Sequence, residues 1–443
     1  PNRFTDGYSF GPHSLDRAES CGAKLVISVD NGTSAHETIE AFVERGVDVV
    51  VTDHHEPTPN KELPPALAIV NPKLHESQYP FRELCGGAVA FKLAWGVAQT
   101  FEGTDRVSTK LREFLVEAMS YVAIATVCDV VPLVDENRIL ARWGLKSLAT
   151  TQHAGLSALL DVSGLGHRRL TGEDVAFKIG PRLNASGRLG TAEAALEVLL
   201  CEDSSKAKSL AKRLDDLNEE RREIERGVLE EARAAVEALS EEEREPVLVV
   251  AGQGWHQGVV GIVAARLVDQ YACPSIVLGL DGEEGRGSAR SVPGFSVLDA
   301  MHGGAEHMIR YGGHEQAAGC EVRADAVDAL RKAVCTRATE ILAESEGAFS
   351  APPLELDAEL PFESLTPEFM KELDRLEPFG PGNESALFLC RDLRLAEPAR
   401  RVGADKTHLM LRLRRGNHAM RGMAFGLGAR ADELQMGMPI EAV

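Results

Sequence analysis

Three side chains that can bind a metal or transfer a proton stand together at 53–55, in the sequence Asp-His-His. They follow an apolar, β-branched run at 47–51, which is typical of a strand buried on both faces because it has no polar alternation. Two further acids, Asp30 and Asp129, also follow apolar runs. Ligands bind at the carboxyl ends of strands in open α/β sheets, so we expect these groups to meet at one site.

The mixture of carboxylate and imidazole groups favours Mn²⁺ or a similar divalent cation. The sequence places no pair of thiolates with them, so a structural zinc site is not expected. Two cations that share a carboxylate can activate water and neutralise charge on a phosphoryl group, which is the chemistry of a metal-dependent hydrolase. The simpler alternative is an aspartate that caps a turn beside two solvated histidines.

The composition is that of an ordinary globular protein of 443 residues, long enough for roughly two to four domains. The net charge of −20 argues against a general polyanion binder, so any contact with nucleic acid must use local basic patches. Eight scattered cysteines without a C-x-x-C pair indicate reduced thiols and a cytoplasmic location. No apolar stretch reaches the roughly 18 residues that span a bilayer, so no membrane partner is expected.

The order of strand and helix patterns predicts an α/β fold with two lobes. Strand–helix–strand patterns fill the first 130 residues and imply parallel-type sheets. A proline-free stretch then repeats apolar positions every three or four residues and predicts one connecting helix of about 54 Å. The α/β pattern restarts near 245, and short strand-like runs after 351 indicate a small β-barrel. The predicted domains are 1–204, 205–240 (the helix), 241–350 and 351–443.

Three motifs carry a resemblance to a known superfamily. SVDNG at 28–32, VTDHHEP at 51–57 and ATVCDVVPL at 125–133 resemble the second, third and fourth motifs of the DHH phosphoesterases. A single DHH triplet would be a weak signal. Because the motifs occur in order and four others follow them, the resemblance is specific.

The later motifs narrow the resemblance to one family. GPRLNASGRL at 180–189 and YGGHEQAAG at 311–319 are similar to motifs of the RecJ family of single-strand-specific 5′→3′ DNA exonucleases. WHQGVVGIVAARL at 255–267 and GSARS at 287–291 resemble that family's second lobe, of the DHHA1 type. The resemblance implies a C-terminal OB-like barrel after these two lobes.

The resemblance implies a role for each residue of the metal site. Asp30 would be the carboxylate shared between two cations, His54 and Asp129 would be further ligands, and the cofactor would be Mn²⁺ or Mg²⁺. His55 would face the substrate phosphate. Asp53 would orient the imidazoles, as carboxylates behind metal ligands commonly do. His55 and Asp53 are therefore the implied catalytic pair.

The resemblance also implies three groups of DNA-binding residues. On the first lobe, the strand near the metals would contact Arg182, Asn184 and Arg188. The pocket for the 5′-terminal phosphate would contain Arg3, Ser288 and Arg290. The second lobe would close the site, with backbone amides free to approach a phosphate, through Gly312, Gly313 and His314. Without the resemblance, each of these short stretches would be interpreted as an ordinary turn or helix end.

A basic stretch in the C-terminal region is the candidate surface for single-stranded DNA. Residues 388–421 contain nine arginines and lysines against three acids. Such a barrel surface fits an OB-fold that grips single strands, and the alternative is a solvated barrel face. The implied activity is a metal-dependent 5′→3′ exonuclease that releases 5′-mononucleotides in recombination and repair, with other repair proteins as further partners.

The family's first motif, an aspartate-rich D-x-D strand end, does not occur near the start of this sequence. The sequence begins in the loop-like PNRFTDGY and stops in GMPIEAV, which resembles the start of a strand. We therefore expect a chain truncated at both ends, with an incomplete two-metal centre.

Two other functions stay open at this point. A DHH phosphodiesterase for short oligonucleotides or cyclic dinucleotides would need only the two lobes, so residues 354–443 favour the exonuclease. A non-catalytic scaffold that binds single-stranded DNA would keep the fold and lose its metals, whereas DHH and VDNG are intact here. An inorganic pyrophosphatase would need neither GSARS nor a barrel.

Overall fold

The structure is a computed structural model that describes residue 6 and residues 10–58, 61–166, 168–344, 354–403 and 405–443. Three sheets and one long helix organise these residues. Within these ranges, no helix combines the length and the apolar character that membrane crossing requires.

The first sheet is parallel and runs in the order β1 (Leu25–Val29), β2 (Asp48–Thr52), β3 (Ala68–Val70). In the central strand Val49 and Val51 are completely buried, whereas on the opposite face Thr52 is buried, Val50 is half-buried and Asp48 is exposed. The predicted strand is therefore present, but it is fully buried on one face alone. The helices of this lobe are α1 (His13–Cys21), α2 (His36–Glu44), α3 (Gly86–Glu102), α4 (Thr109–Cys128), α5 (Asp135–Ala149), α6 (Ala154–Val162), α7 (Gly172–Asp174), α8 (Gly180–Leu189) and α9 (Glu193–Leu199), with a π-helical turn at Val175–Ile179 before α8.

The apolar run before Asp129 is helical, so the interpretation of Asp129 as a strand end was wrong. Helix α4 ends at Cys128, and Asp129 is its C-terminal cap. The helix packs between α3 and α5, which makes its apolar surface too broad for a clear amphipathic period. A short, continuous apolar run does not distinguish a buried helix from a buried strand.

One long helix connects the two lobes. Helix α10 (Ser204–Ala238) is capped by Asp203, whose side chain accepts hydrogen bonds from the backbone amides of Ser205 and Lys206. Its 35 residues span about 53 Å at the usual rise of an α-helix. It contacts α6, α8 and α9 of the first lobe and, further along, the second lobe. The predicted connecting helix lies at this position, and the domain boundaries around it stay predictions.

The second sheet is mixed rather than parallel. Its order is β4-β5-β6-β8-β7, in which only the pair β4–β5 is parallel. The antiparallel part begins because a two-residue turn with Gly282 in the left-handed region (φ 65°) joins β5 directly to β6. The strands are β4 (Leu248–Gln253), β5 (Ser275–Asp281), β6 (Glu284–Arg290), β7 (Met308–His314) and β8 (Ala317–Arg323), and the helices are α11 (Glu241–Arg244), α12 (Val260–Tyr271), α13 (Val297–His302) and α14 (Val327–Glu344).

The C-terminal module is a six-stranded sheet around a small apolar core. Leu393, Leu395 and Leu413 are buried in it together with Phe362 and Cys390. Strand pairing follows the path β11-β12-β10-β14, with β13 beside β12 and β9 beside β10, and these pairs do not close into a ring in the described part of the module. The elements are α15 (Pro367–Leu373), β9 (Ala358–Glu359), β10 (Phe388–Leu395), β11 (Arg400–Val402), β12 (His408–Arg415), β13 (His418–Ala424) and β14 (Pro439–Ala442).

Candidate metal centre and nucleic-acid interface

Two carboxylates converge on one imidazole at the edge of the first sheet. Nε2 of His54 lies 3.2 Å from Oδ1 of Asp30 and 3.3 Å from Oδ2 of Asp129. Asp30 follows β1, His54 follows β2 and Asp129 caps α4, so three separate elements supply one set of donors. The His54 side chain is 11% exposed, whereas those of Asp30 and Asp129 are 53% and 36% exposed. The carboxylates are therefore accessible from solvent.

The backbone around Asp30 is built for a close approach. Asp30 has φ 65°, in the left-handed region that aspartate tolerates better than most residues, and its amide donates to the carbonyl of Thr52. A Cβ at Gly86, the first residue of α3, would lie 2.2 Å from Oδ1 of Asp30. Glycine at this position lets the positive end of α3 pack directly against the carboxylate.

Asp53 lies behind the cluster and accepts several hydrogen bonds. Its oxygens accept from the amides of Thr33 (2.9 Å), His54 (2.8 Å) and His55 (3.2 Å), and Oδ1 lies 2.7 Å from Nδ1 of His55. Burial raises the pKa of Asp53, but the hydrogen bonds, led by that of His55, lower this pKa overall to well below its usual range. Asp53 is therefore a permanent carboxylate that orients the ring of His55. It contacts only the backbone of His54, whose Nδ1 is buried without a hydrogen-bond partner in the described residues.

The cluster carries an excess of negative charge that a cation would relieve. Burial raises the pKa of the Asp129 carboxyl, the charge of Asp30 raises it further, and His54 partly offsets both. The hydrogen bond to Asp53 raises the pKa of His55, and the nearby acids add to that shift. Donor atoms of Asp30, His54 and His55 all lie within 4.8 Å of one another. Oxygen and nitrogen donors in this mixture fit Mn²⁺, and the residues present therefore fit the predicted metal.

A cavity of about 790 Å³ opens beside Asp129, between the lobes. Helix α8 forms one wall with Asn184 and Arg188, two of the predicted DNA contacts. The start of α8 packs against Cys128, next to Asp129, because its first residue is Gly180, where a Cβ would lie 2.6 Å from Sγ of Cys128. Asn184 and Arg188 therefore share one cavity with the residues on either side of Asp129.

The cavity also contains cations that the sequence interpretation missed. Arg221 and Arg222 of α10 line it, together with Arg266 of α12. Arg221 is almost completely buried, pairs with Glu225 and donates to Oδ1 of Asn218 at 2.7 Å. None of these three arginines was predicted as a site residue, and Arg221, which interrupts the apolar pattern of α10, is the one signal that could have indicated a buried charge.

Arg182 does not line this cavity. Its guanidinium lies 2.9 Å from a carboxylate oxygen of Asp215 and donates to the carbonyl of Lys178 at 2.8 Å. Its side chain is only 12% exposed. This placement ties α8 to α10 and does not support the predicted DNA contact.

The predicted phosphate pocket and the closing residues lie on neighbouring strands. Ser288 of β6 and Gly312 of β7 both pair with Gly319 of β8, which separates them by two strand spacings, or about 10 Å. Arg290 and His314 are related in the same way through Ala317. The sheet therefore brings four of these residues together. Gly313 lies beside them with φ 147°, and Arg3 lies outside the described residues.

Arg290 is a partly buried cation beside Ser288. Its Nη1 donates to Oγ of Ser288 at 2.9 Å and to the carbonyl of Ala289 at 2.7 Å. Burial lowers the pKa of its guanidinium, and no carboxylate in the described residues forms an ion pair with it. A Cβ at Gly261, near the start of α12, would lie 2.9 Å from Oγ of Ser288, so the serine faces a helix N-terminus.

The C-terminal module presents an arginine face. Leu409 and Leu413 of β12 are buried, so the alternate residues of this strand point to the opposite side of the sheet. Arg412 pairs across to Arg421 of β13, and Arg414 pairs across to Arg394 of β10. The arginine face consists of Arg394, Arg412, Arg414 and Arg421.

Three family matches follow one another along the chain. Residues 1–124 match the DHH family, N-terminal domain, residues 231–340 match the DHHA1 domain and residues 356–443 match the RecJ OB domain. The last match agrees with the predicted OB-like module, although the described strands form an open sheet.

Three similar proteins carry the name RecJ. The single-stranded-DNA-specific exonuclease RecJ of Bacillus subtilis is 38% identical over 99% of this chain, which spans 53% of that relative. The protein of the same name from Dickeya dadantii is 36% identical over 96% of this chain, which spans 75% of it. The crystal structure of RecJ from Thermus thermophilus in complex with Mn²⁺ superimposes with a TM-score of 0.79 at 30% identity and covers 98% of this chain, which spans 60% of that structure. On this evidence the chain belongs to the RecJ family.

Proposed function

We propose that this chain is part of a metal-dependent exonuclease that degrades single-stranded DNA from the 5′ end and releases 5′-mononucleotides. The observation that carries the proposal is the convergence of Asp30 and Asp129 on His54, beside a cavity with arginine walls. Family membership supports it, since relatives at 36% and 38% identity are named single-stranded-DNA-specific exonucleases.

The metal site would use the residues that converge. Asp30, His54 and Asp129 would hold Mn²⁺ or Mg²⁺, the two cations present in RecJ structures from Thermus thermophilus. A bound divalent cation activates water and neutralises charge on the phosphoryl group. His55, held by Asp53 and kept protonated to higher pH, would donate a hydrogen bond to a phosphoryl oxygen.

The remaining residues would hold the strand. Arg188 with the cavity arginine Arg222 would neutralise backbone phosphates near the cluster, whereas Arg266 lies 3.6 Å from Glu225. Ser288 and Arg290 would bind the 5′-terminal phosphate at the start of α12. A fixed distance between this pocket and the metal cluster would make each cut release one nucleotide.

The cellular context is part of the same proposal. The eight cysteines are free thiols, which is the state expected in the cytoplasm. A role in recombination and repair, with other proteins of those processes as partners, follows from the family and stays a prediction.

The test is digestion of a long 5′-phosphorylated single strand with a different label at each end, in Mn²⁺ or in EDTA. We expect mononucleotides to appear first from the 5′ label, only in Mn²⁺, with a duplex of the same sequence left intact. Release from the 3′ end, or internal cuts, would contradict the proposal. Binding of the strand without any digestion in Mn²⁺ would also contradict it and would favour the non-catalytic scaffold.

A further inference from the structure

We propose that residues 376–384, which lead from α15 towards the C-terminal sheet, position the metal ligand Asp129 by holding the loop that follows it. We call them the clamp segment. The inference rests on the proposed function, since it takes Asp129 as a ligand. The clamp segment acts through the backbone of 130–134 and is itself no part of the donor cluster.

The loop 130–134 needs stabilising contacts from outside because its first residue has a strained backbone conformation. Val130, directly after Asp129, has φ 60°. The left-handed region is unfavourable for a β-branched residue and persists only where the surroundings enforce it. The Val130 residue is 65% exposed, so packing of its own side chain does not supply that enforcement. Contacts further along the loop must do so.

The clamp segment makes those contacts. The amide of Leu133 donates to the carbonyl of Pro381 at 2.6 Å, and the Leu133 side chain is almost completely buried. A Cβ at Gly380 would lie 2.7 Å from Cδ1 of Leu133. Gly382 has φ 72°, and a Cβ there would lie 3.1 Å from Cγ1 of Val134. The two glycines therefore permit an approach that larger residues would prevent.

The clamp segment is in turn anchored to the first lobe. Arg138 of α5 donates to the carbonyl of Leu376 at 2.6 Å. Arg169, before α7, lies 2.7 Å from Oε2 of Glu377. The Asn383 amide group donates to two carbonyls inside the segment and braces it. The module with the arginine face is thereby coupled mechanically to a metal ligand.

The separation of the clamp segment from the arginine face makes the proposal testable. We would measure the Kd for Mn²⁺ in the absence of DNA, by electron paramagnetic resonance of the free ion, and the affinity for single-stranded DNA in EDTA. For Gly380→Ala we expect the Kd for Mn²⁺ to rise by about tenfold, as for other changes behind metal ligands. Gly380 also lines the cavity between the lobes, so the DNA affinity is compared on variants of Arg169 and Glu377, where we expect it to be unchanged. Gly96→Ala is the matched control, since a Cβ on that exposed helical residue would meet nothing within 4 Å. An unchanged Kd for Mn²⁺ in folded Gly380→Ala would overturn the proposal.

A second set of variants covers the case in which Gly380→Ala does not fold. Arg169→Gln and Glu377→Gln both remove the ion pair between these residues, and Arg169→Gln also removes the contacts of Arg169 with Asp374. The Arg169 side chain is 61% exposed, so the fold should tolerate its replacement. We expect each variant to weaken Mn²⁺ binding and the double variant to weaken it no further than Arg169→Gln alone. A role in stability alone would lower the melting temperature and leave the Kd for Mn²⁺ of the folded protein unchanged, which would refute the clamp.

The digestion assay separates this proposal from the proposed function. A wild-type chain that binds Mn²⁺ but does not digest DNA would contradict the exonuclease. The Kd values of the variants would then still decide for or against the clamp.

Discussion

Nδ1 of His55 lies 2.7 Å from Oδ1 of Asp53, with the carboxylate 2% exposed and the imidazole 58% exposed. The buried acid therefore fixes the ring, and it leaves Nε2 as the nitrogen available to a ligand. Because this acid also accepts from three backbone amides, the orientation of His55 is coupled to the strand end that carries the metal cluster.

Asp53→Asn should lower the pKa of His55 towards its ordinary value in metal-free protein. The pKa falls because the neutral amide no longer favours the imidazolium. Buried hydrogen bonds to a charged acceptor are also lost, so we expect the free energy of unfolding to fall by about 2 kcal/mol. Histidine NMR titration in EDTA measures the pKa, with Asp105→Asn as the control. An unchanged His55 pKa in Asp53→Asn would show that the hydrogen bond does not set its proton affinity.

The difference in unfolding free energy between wild type and Asp53→Asn should depend on pH. The pKa of Asp53 is lowered from 3.8 by folding, so its contribution is present above pH 3.8 and is lost as the pH falls through the folded value. The pKa of His55 is raised from 6.5, so its contribution is present below pH 6.5 and is lost as the pH rises through the folded value. Urea unfolding of both metal-free proteins should therefore show the largest difference between pH 3.8 and 6.5. A constant difference across the pH range would contradict this assignment.

Asp129→Asn should abolish tight Mn²⁺ binding without destabilising the metal-free protein. Burial and the charge of Asp30 already disfavour the ionised Asp129, so its removal relieves repulsion while it deletes a ligand. Calorimetric titration with Mn²⁺ and thermal unfolding in EDTA measure the two effects, and the exposed Asp105→Asn is again the control. Retained Mn²⁺ affinity, or a large loss of metal-free stability, would assign Asp129 a structural role.

Arg414→Gln should weaken binding of single-stranded DNA and make it less dependent on salt. Each phosphate contact contributes about 0.7 to the slope of log K against log salt for single strands, so the slope should decrease by about that amount. The control is Arg391→Gln, because Arg391 already pairs with Glu359 and Glu441. Equal slopes for wild type and Arg414→Gln would show that the arginine face does not contact the DNA phosphates.

The strand ends of the metal site could be predicted from the sequence because apolar runs end abruptly in acids and histidines. Asp30 and His54 follow β1 and β2 as expected. Asp129 could not be placed on a helix, since the surrounding run is apolar on all sides. The ion pair between Arg182 and Asp215 depends on how α8 packs against α10, and spacing along the chain does not reveal that packing.

The contact between the clamp segment and the loop after Asp129 could not be predicted from the sequence either. Leu133 and Pro381 belong to different predicted domains, and nothing in either local pattern indicates the hydrogen bond between them. The mixed second sheet likewise depends on a two-residue turn at Gly282, which the α/β pattern that restarts near 245 does not indicate.

The central claim is that Asp30, His54 and Asp129 together hold the cation of a nuclease, and crystals soaked in Mn²⁺ test it most directly. The anomalous signal of manganese locates the ion independently of any activity. We predict a peak within coordination distance of all three side chains, and its loss in Asp129→Asn. A manganese peak elsewhere, with the three side chains still bonded only to one another, would contradict the claim.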